Sequence, residues 1–263
     1  MGRKIKVCLL QMEVADGNID VNRGKAERLI REAAKQKPDF ILLPELWNTG
    51  YQLETARQLA EPLEGETVKR LLTLAEEYGV YILGSIIELR AGKLYNTMPI
   101  IAPNGLIEAY SKIHLFKPMR EDEFFTAGDK PGFFKTPKGT FGAAICYDLR
   151  FPELFRLLAL KGVEAVFLAA SFPRLLDHWR HLIYARAIEN QFFMVAVNRV
   201  GRLGSLEFFG HSMAVAPSGV ALLEAGSSEG IFTCELDLDL VEEERGRIFH
   251  LQGRRPEVYR LGF

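Results

Sequence analysis

The chain has 263 residues, of which 48% are hydrophobic and 25% charged, so it can bury a substantial core and is not intrinsically disordered. Its 33 basic and 34 acidic residues give a formal net charge of −1, which provides no long-range field for nucleic acid or an anionic membrane. The apolar run at 7–10 is too short for a signal peptide or a membrane span, so we predict a cytoplasmic protein with a small-molecule partner.

In chain order, the first half of the sequence alternates apolar segments of strand length with two amphipathic helices. Strands are predicted at 4–12, 39–44, 80–88, 94–102 and 106–112. The two helices have apolar faces formed by Ala26, Leu29, Ile30 and Ala33, and by Val68, Leu71, Leu72 and Ala75. The order is therefore strand, helix, strand, helix, strand, strand, strand.

The same order starts again at Phe141, which indicates an approximate internal duplication. Strands are predicted at 141–146, 164–170, 192–198, 211–216, 220–223 and 230–236, with helices at 152–161 and 178–190. Several of these strands are apolar throughout, as in sheets that are covered on both faces. We therefore predict an α/β fold in which residues 1–263 form one domain, a four-layer α-β-β-α sandwich of two mixed sheets with helices outside. The segment 113–140 is a connection of more than about 15 residues, a length typical of lids and binding loops.

Three cysteines, at positions 8, 146 and 234, are odd in number and too few for a disulfide scaffold. Cys146 closes a predicted strand just before a helix, where α/β folds bind ligands and backbone N–H groups point outward. It is a candidate nucleophile, and the N–H of Tyr147 is a candidate oxyanion donor. The alternative is a small buried hydrophobic residue, which is the interpretation we favour for the mid-strand residues Cys8 and Cys234.

Glu45 and Lys112 are charged residues placed where two apolar strands stop, so both can converge with Cys146 on one crevice. Each alone is more typical of a solvated strand end. A thiol with a pKa near 8.5 needs roughly 2 kcal/mol to reach a pKa of about 7. An ammonium about 4 Å away supplies around 4 kcal/mol at an effective dielectric constant of about 20. Desolvation subtracts a share of this energy, but one lysine is still expected to be enough to ionise the thiol. A carboxylate beside the thiol would oppose ionisation but can take the proton, so the pair should titrate as a coupled unit.

Three segments resemble the signature blocks of the nitrilase superfamily of carbon–nitrogen hydrolases. They are Leu43-Pro44-Glu45, Tyr110-Ser111-Lys112-Ile113-His114-Leu115-Phe116 and Cys146-Tyr147-Asp148-Leu149-Arg150-Phe151-Pro152-Glu153. The later stretch Ala185-Arg186-Ala187-Ile188-Glu189-Asn190-Gln191 is also similar to that family. The resemblance covers nearly the whole chain and implies the same α-β-β-α sandwich.

The resemblance also implies roles for the residues in the three blocks. Cys146 would be the nucleophile, Glu45 the general base and Lys112 the stabiliser of the tetrahedral intermediate. A second glutamate usually follows the lysine in this family, shortly before a Thr-x-Gly. Glu121, seven residues before Gly128, fits that position best, and Glu123 is the competitor.

The turn Cys146-Tyr147-Asp148 is closer to omega-amidases and Nit-like amidases than to the Cys-Trp-Glu of true nitrilases. The stretches Asn198-Arg199-Val200-Gly201 and Phe209-Gly210-His211-Ser212 look most like bacterial omega-amidases. The resemblance therefore predicts cysteine-dependent hydrolysis of a small non-peptide amide to carboxylate and ammonia through an acyl thioester. Dicarboxylate monoamides are the candidate substrates.

Tyr147, Arg150 and Arg174 are the predicted substrate-binding residues, because a guanidinium binds a carboxylate bidentately. The alternative for Arg150 is an internal ion pair with Asp148 or Glu153. The family resemblance further implies a homodimer or higher homo-oligomer. We expect the C-terminal tail from about 245 to pack at the subunit interface.

Other functions remain as alternatives at this stage. An N-carbamoyl amino acid amidohydrolase, another Nit-like amidase or a non-catalytic binding protein can share the same fold. Ser212, followed by Asp239 and His250, imitates a serine-hydrolase order, but its segment continues as a strand instead of entering a helix. A Cys–His hydrolase that uses His114 is the remaining enzymatic alternative.

No metal or organic cofactor is expected. His178 and His181 share a helix face with metal-like spacing, but no carboxylate or cysteine accompanies them in a known ligand motif. The sequence also has no Gly-rich loop of the kind that holds phosphates.

Overall fold

The computed structural model describes residues 2–173 and 175–259. The strands are β1 (Lys4–Gln11), β2 (Phe40–Leu42), β3 (Tyr81–Leu83), β4 (Ile86–Arg90), β5 (Lys93–Ala102), β6 (Gly105–Ser111), β7 (Gly132–Thr136), β8 (Gly139–Ile145), β9 (Ala165–Ala170), β10 (Phe193–Asn198), β11 (Val200–Leu203), β12 (Leu206–Phe209), β13 (Met213–Val215), β14 (Ala221–Glu224) and β15 (Gly230–Asp237). The helices are α1 (Ile19–Ala34), α2 (Ala56–Leu59), α3 (Glu66–Tyr78), α4 (Glu121–Phe124), α5 (Pro152–Leu160), α6 (Leu176–Asn190) and α7 (Asp239–Arg247). Short 3-10 helices lie at Leu53–Thr55, Lys117–Met119 and Cys146–Arg150.

The strands form two large mixed sheets that repeat one plan. In the first sheet β15, β1, β2, β3 and β5 are neighbours in this order, and β4 and β6 also pair with β5. The second sheet has the order β14-β13-β10-β9-β8-β7. At the centre of each sheet lie three parallel strands, β1 to β3 in the first and β8 to β10 in the second. Helices α1 and α3 connect the first three, and α5 and α6 connect the second three. The internal duplication predicted from the order of elements is confirmed.

The two sheets pack face to face through buried aromatic side chains. The ring of Phe40 on β2 lies 4.9 Å from the ring of Phe141 on β8 and 4.9 Å from that of Phe167 on β9. A separate cluster that includes Ile41 and Ile30 fills the space between the first sheet and helices α1 and α3. Each such buried side chain contributes about 1.5–3 kcal/mol. The layers follow the predicted α-β-β-α order.

The strand predicted at 80–88 is interrupted in the structure, where it forms β3 and β4. Both pair antiparallel with the same edge of β5 in one register, and β6 pairs with the other edge. The break falls at Gly84 and Ser85. A Cβ atom on Gly84 would lie 2.5 Å from the Cβ of Leu43, and the Ser85 hydroxyl accepts a 2.9 Å hydrogen bond from the Leu46 N–H. Close packing against the segment after β2 therefore coincides with the interruption between β3 and β4, while the register with β5 continues through it.

The irregular connection predicted at 113–140 contains regular structure. It holds the short helix α4, and its last part is β7, which pairs antiparallel with β8. Pro131 and Pro137 flank β7 and conceal it in the sequence pattern. The hairpin of β11 and β12 and the helix α7 were also not predicted. No helix in the described part of the chain is long and apolar enough to span a membrane.

The segment after α7 packs partly on the end of α6. The Gln191 side-chain amide donates hydrogen bonds to the carbonyls of Glu244 (2.8 Å) and Ile248 (2.7 Å). Further along, Phe249 and Val258 are 59% and 67% exposed. This segment therefore presents apolar side chains to solvent.

Candidate active site

Three strand ends bring Glu45, Lys112 and Cys146 together. Glu45 lies just after β2, Lys112 directly follows β6, and Cys146 directly follows β8. The first two side chains are fully buried and Cys146 is 6% exposed. The Lys112 ammonium donates a 2.7 Å hydrogen bond to Oε1 of Glu45, and Cys146 is close enough to both charges for each to change its pKa. The convergence expected from the sequence is present.

The Glu45 carboxylate is held by donors on both of its oxygens. Oε1 also accepts a 2.8 Å hydrogen bond from the Asn96 side-chain amide. Oε2 accepts a 3.0 Å hydrogen bond from the backbone N–H of Ser171, whose hydroxyl donates to the Glu45 carbonyl. These contacts fix the orientation of the Glu45 carboxylate.

The second glutamate of the cluster is Glu121. Its Oε1 accepts hydrogen bonds from the Lys112 ammonium and the Tyr51 hydroxyl, each 2.8 Å long, and its Oε2 accepts one from the Phe116 N–H. Glu123, the competing candidate, is exposed and pairs with Arg120. The structure therefore places Glu121 in the cluster and Glu123 on the surface.

The charges of the cluster determine the protonation state of Cys146. Burial raises the pKa of the Cys146 thiol, Glu45 raises it further, and Lys112 lowers it by less, so the pKa stays well above the ordinary value. For Lys112, burial lowers the pKa, but Glu121 and Glu45 outweigh it and the net pKa is raised. Burial also raises the pKa of Glu121, against the opposing effect of Lys112.

The expectation that one lysine is enough to ionise the thiol is therefore wrong. The expectation from the sequence weighed one ammonium against desolvation and one carboxylate. In the structure, two carboxylates accept hydrogen bonds from that ammonium, and burial disfavours the thiolate. Both effects raise the pKa of Cys146 and favour its thiol form.

The backbone at Cys146 adopts an uncommon conformation. Its φ is +42°, in the left-handed region, which costs a residue with a Cβ about 1–2 kcal/mol. Such strained residues cluster at functional sites, because surrounding contacts have to hold them in place. The left-handed conformation at Cys146 turns the chain from β8 into the 3-10 helix Cys146–Arg150.

The predicted substrate-binding residues lie around this turn or outside the described residues. The Tyr147 ring contacts those of Phe116 and Phe151, with centroids 4.8 and 5.2 Å away. Its N–H belongs to the first turn of the 3-10 helix, where N–H groups lack intrahelical acceptors. Arg174 lies outside the described residues.

Arg150 has no carboxylate within ion-pair distance among the residues that the structure describes. Its guanidinium lies 3.4 Å from Nδ1 of His178 and 5.2 Å from the ring of Phe172. The internal pair with Asp148 or Glu153 is therefore wrong. The guanidinium remains available to an anionic ligand.

The residues of the two alternative nucleophile systems do not contact one another in the way that catalysis would require. The Ser212 hydroxyl donates a 2.8 Å hydrogen bond to Gln11, Asp239 accepts from Arg3, and His250 faces the carbonyl of Glu189. These three residues therefore form no triad. The Nδ1 atom of His114 lies 2.8 Å from Asp148, so this ring is engaged away from the thiol.

His178, one of the two histidines with metal-like spacing, lies beside Arg150. Within residues 2–173 and 175–259, no group of three or more His, Cys, Asp or Glu side chains is arranged to hold a metal ion.

Sequence reasoning missed three residues that contact the cluster. Ser171 directly follows β9, so the strand-end argument used for the other residues would have found it. Asn96 is a buried polar residue within β5 and lies beside another, Thr97, which is a weaker indication. Tyr51 lies in a segment without periodicity, and no pattern marks it.

Known proteins resemble this chain in sequence and in fold. The carbon-nitrogen hydrolase family profile matches residues 6–245. The chain is 38% identical over 259 residues to 2-oxoglutaramate amidase of Bacillus subtilis, which covers 97% of this chain and 100% of that protein. It is 34% identical over 268 residues to omega-amidase NIT2 of Xenopus tropicalis, covering 97% of each. A crystal structure of a CN-hydrolase superfamily protein from Xanthomonas campestris superposes with a TM-score of 0.92 at 27% identity, over 98% of this chain and 99% of that one.

The chain therefore belongs to the carbon-nitrogen hydrolase family of the nitrilase superfamily. It is an enzyme that acts on carbon–nitrogen bonds, which answers the alternative of a non-catalytic binding protein.

Proposed function

We propose that this enzyme hydrolyses a small non-peptide amide to a carboxylate and ammonia through an acyl thioester on Cys146. The observation that carries the proposal is the buried cluster of Glu45, Lys112 and Glu121 beside a thiol at a strained turn. Burying a lysine between two carboxylates costs desolvation energy, and such buried charge clusters are common at functional sites. Here the lysine places a fixed positive charge where an oxyanion forms.

In the first half of the reaction, Cys146 attacks the amide carbon as a thiol that loses its proton to Glu45. The raised pKa of the thiol makes this transfer part of the attack and not a preceding ionisation. The Lys112 ammonium and the Tyr147 N–H stabilise the oxyanion. Glu45 then gives the proton to the departing nitrogen, so that ammonia leaves and the acyl group stays on sulfur.

In the second half, Glu45 takes a proton from water as the water oxygen attacks the thioester carbon. The same donors stabilise the second oxyanion. Its collapse breaks the carbon–sulfur bond, and the proton on Glu45 returns to the Cys146 sulfur. In this cycle Glu121 does not exchange a proton, and it holds the ammonium of Lys112 in position through its 2.8 Å contact.

The proposed substrate is a short amide with a carboxylate at its far end, such as the omega-amide of a dicarboxylic keto acid. The names of the two relatives, 2-oxoglutaramate amidase and omega-amidase, support this class. Arg150 supports this class independently. It lies four residues after Cys146 in the sequence, and its guanidinium has no carboxylate partner among the described residues. A bidentate contact there would place the amide carbon for attack.

Ammonia release from a panel of compounds tests the proposed function. The panel contains the omega-amide of a dicarboxylic keto acid, an uncharged amide of the same length, an N-carbamoyl amino acid and an aliphatic nitrile. We expect the omega-amide to have the highest kcat/KM. Faster release from the nitrile or the N-carbamoyl compound would contradict the assignment.

We further propose that the protein assembles as a homodimer or higher oligomer. Leu157 and Leu160 on α5 and Ile188 on α6 are between 41% and 48% exposed. Apolar residues on one helix layer are typical of a surface that packs against a second copy. The exposed Phe249 in the C-terminal segment would extend this surface.

A further inference from the structure

Asp148 lies two residues after Cys146 and is completely buried. Its Oδ2 accepts a 2.7 Å hydrogen bond from the Tyr110 hydroxyl and a 2.9 Å bond from the Ile145 N–H. Its Oδ1 accepts a 3.1 Å bond from the His114 N–H and lies 2.8 Å from the Nδ1 of the same residue. One carboxylate is therefore bound by four donor groups, two of which are backbone N–H groups.

The residues that contact Asp148 are close in sequence to two of the proposed catalytic residues, Lys112 and Cys146. Tyr110 lies two residues before Lys112, and His114 lies two residues after it. Ile145 directly precedes Cys146. Asp148 thus connects the lysine segment on the first sheet to the nucleophile turn on the second sheet, at points on both sides of Lys112.

The nucleophile turn requires such support because Cys146 has a φ of +42°. Two more contacts restrain the same turn. The Arg186 side chain donates a 3.1 Å hydrogen bond to the Leu149 carbonyl, and the His114 ring stacks on Phe151 with centroids 3.6 Å apart. Asp148 differs from these contacts because it alone among them reaches the residue before Cys146.

We infer that Asp148 is a positioning residue that sets the distance between the Cys146 thiol and the Lys112 ammonium. The inference rests on the proposed function, in which these two groups act on the same carbonyl. In that reaction Asp148 exchanges no proton and contacts no substrate. Its effect is on the geometry of attack, where a displacement of about 1 Å costs about 100-fold in rate.

Asparagine is a demanding test of this role. Its side chain has one oxygen and one NH₂ group, so the NH₂ replaces either Oδ1 or Oδ2. The Tyr110 hydroxyl and the His114 ring can become acceptors by rotation or a change of tautomer. The backbone N–H groups of Ile145 and His114 cannot, so one of them always faces the NH₂ group and the turn has to shift.

The experiment measures kcat and KM of D148N for the preferred amide at low temperature, with the folded fraction measured by circular dichroism. We expect kcat per folded molecule to fall about 100-fold, while KM stays within about threefold. The matched control is E61Q. Like Asp148, Glu61 is a carboxylate that accepts a hydrogen bond from a backbone N–H, that of Thr67 at 2.8 Å. It pairs with the buried Arg23, away from the catalytic cluster. E61Q should lower stability and leave kcat per folded molecule unchanged.

A milder variant decides the question if D148N does not fold. Y110F removes one hydroxyl from Asp148, and we expect about a fivefold lower kcat with unchanged KM, since a hydrogen bond is being lost. Y78F removes a surface hydroxyl that contacts Arg31 and should have no effect. Normal kcat in folded D148N, or in Y110F where D148N does not fold, would overturn the inference. Failure of the wild type to hydrolyse any amide would instead refute the proposed function.

Discussion

The Nζ atom of Lys112 lies 2.8 Å from the Oε1 atom of Glu121, and both side chains are completely buried. Together with the contact to Glu45, this places one ammonium between two carboxylates. The arrangement fixes the lysine in space and keeps its charge, since the pKa of Lys112 is raised despite burial. For Cys146, the lysine lowers the pKa of the thiol by less than burial and Glu45 raise it.

The first prediction concerns the second carboxylate. E121Q removes one of the two carboxylate charges that hold the Lys112 ammonium, so that the ammonium keeps only the charged contact to Glu45 and should lose its fixed position. We expect kcat to fall about 100-fold, equivalent to about 2.7 kcal/mol. E123Q is the matched control, because Glu123 is exposed and contacts Arg120. Steady-state assays of both variants check the prediction, and equal effects would contradict it.

The second prediction concerns the thiol. Because the pKa of Cys146 is raised, its alkylation by iodoacetamide should keep accelerating above pH 9 without a plateau near neutrality. E45Q removes a carboxylate that raises this pKa, so the alkylation profile should shift to lower pH while turnover is lost. Peptide mass mapping separates Cys146 from Cys234, whose pKa burial raises to about 12. A plateau near pH 7 in the wild type would indicate a resting thiolate and contradict the account.

How far the sequence predicts this site depends on the kind of contact involved. Glu45, Lys112 and Cys146 were predictable because each follows an apolar strand, and strand ends converge in a sheet. The choice of Glu121 over Glu123 relied on family resemblance, since both lie in the same short helix. The protonation state of Cys146 could not be predicted, because it depends on which oxygens share the ammonium.

In the fold as well, elements marked by a sequence pattern were predictable, and elements that depend on tertiary contacts were not. The parallel strands and their helices were predictable because their apolar periodicity is strong. The interruption at Gly84 and the strand β7 were not, since one depends on packing against Leu43 and the other on pairing with β8. Tyr51 is the extreme case, because its role depends on a tertiary contact with Glu121 alone.

The third prediction concerns substrate recognition. R150Q should lower kcat/KM for an omega-amide by roughly thirtyfold, equivalent to about 2 kcal/mol, and should leave its uncharged methyl-ester analogue unaffected. R31Q is the control, because Arg31 lies on α1 and pairs with Glu77. An equal loss for both substrates would show that Arg150 does not bind the carboxylate.

The fourth prediction concerns assembly. L160D introduces a charge on the exposed apolar face of α5, and sedimentation velocity should show a smaller species than the wild type. V21D is the matched control, because Val21 on α1 is 51% exposed and Leu160 is 48% exposed. A wild type that is monomeric at micromolar concentration would contradict the proposed oligomer.

The most direct test of the account is ammonia release by C146A compared with C8A and C234A. Cys8 and Cys234 lie within β1 and β15, away from the strand ends, so their replacement should leave turnover largely intact. C146A should release no ammonia above the uncatalysed rate, although its folded structure and substrate binding persist. Appreciable turnover by C146A would contradict the assignment of Cys146 as the nucleophile.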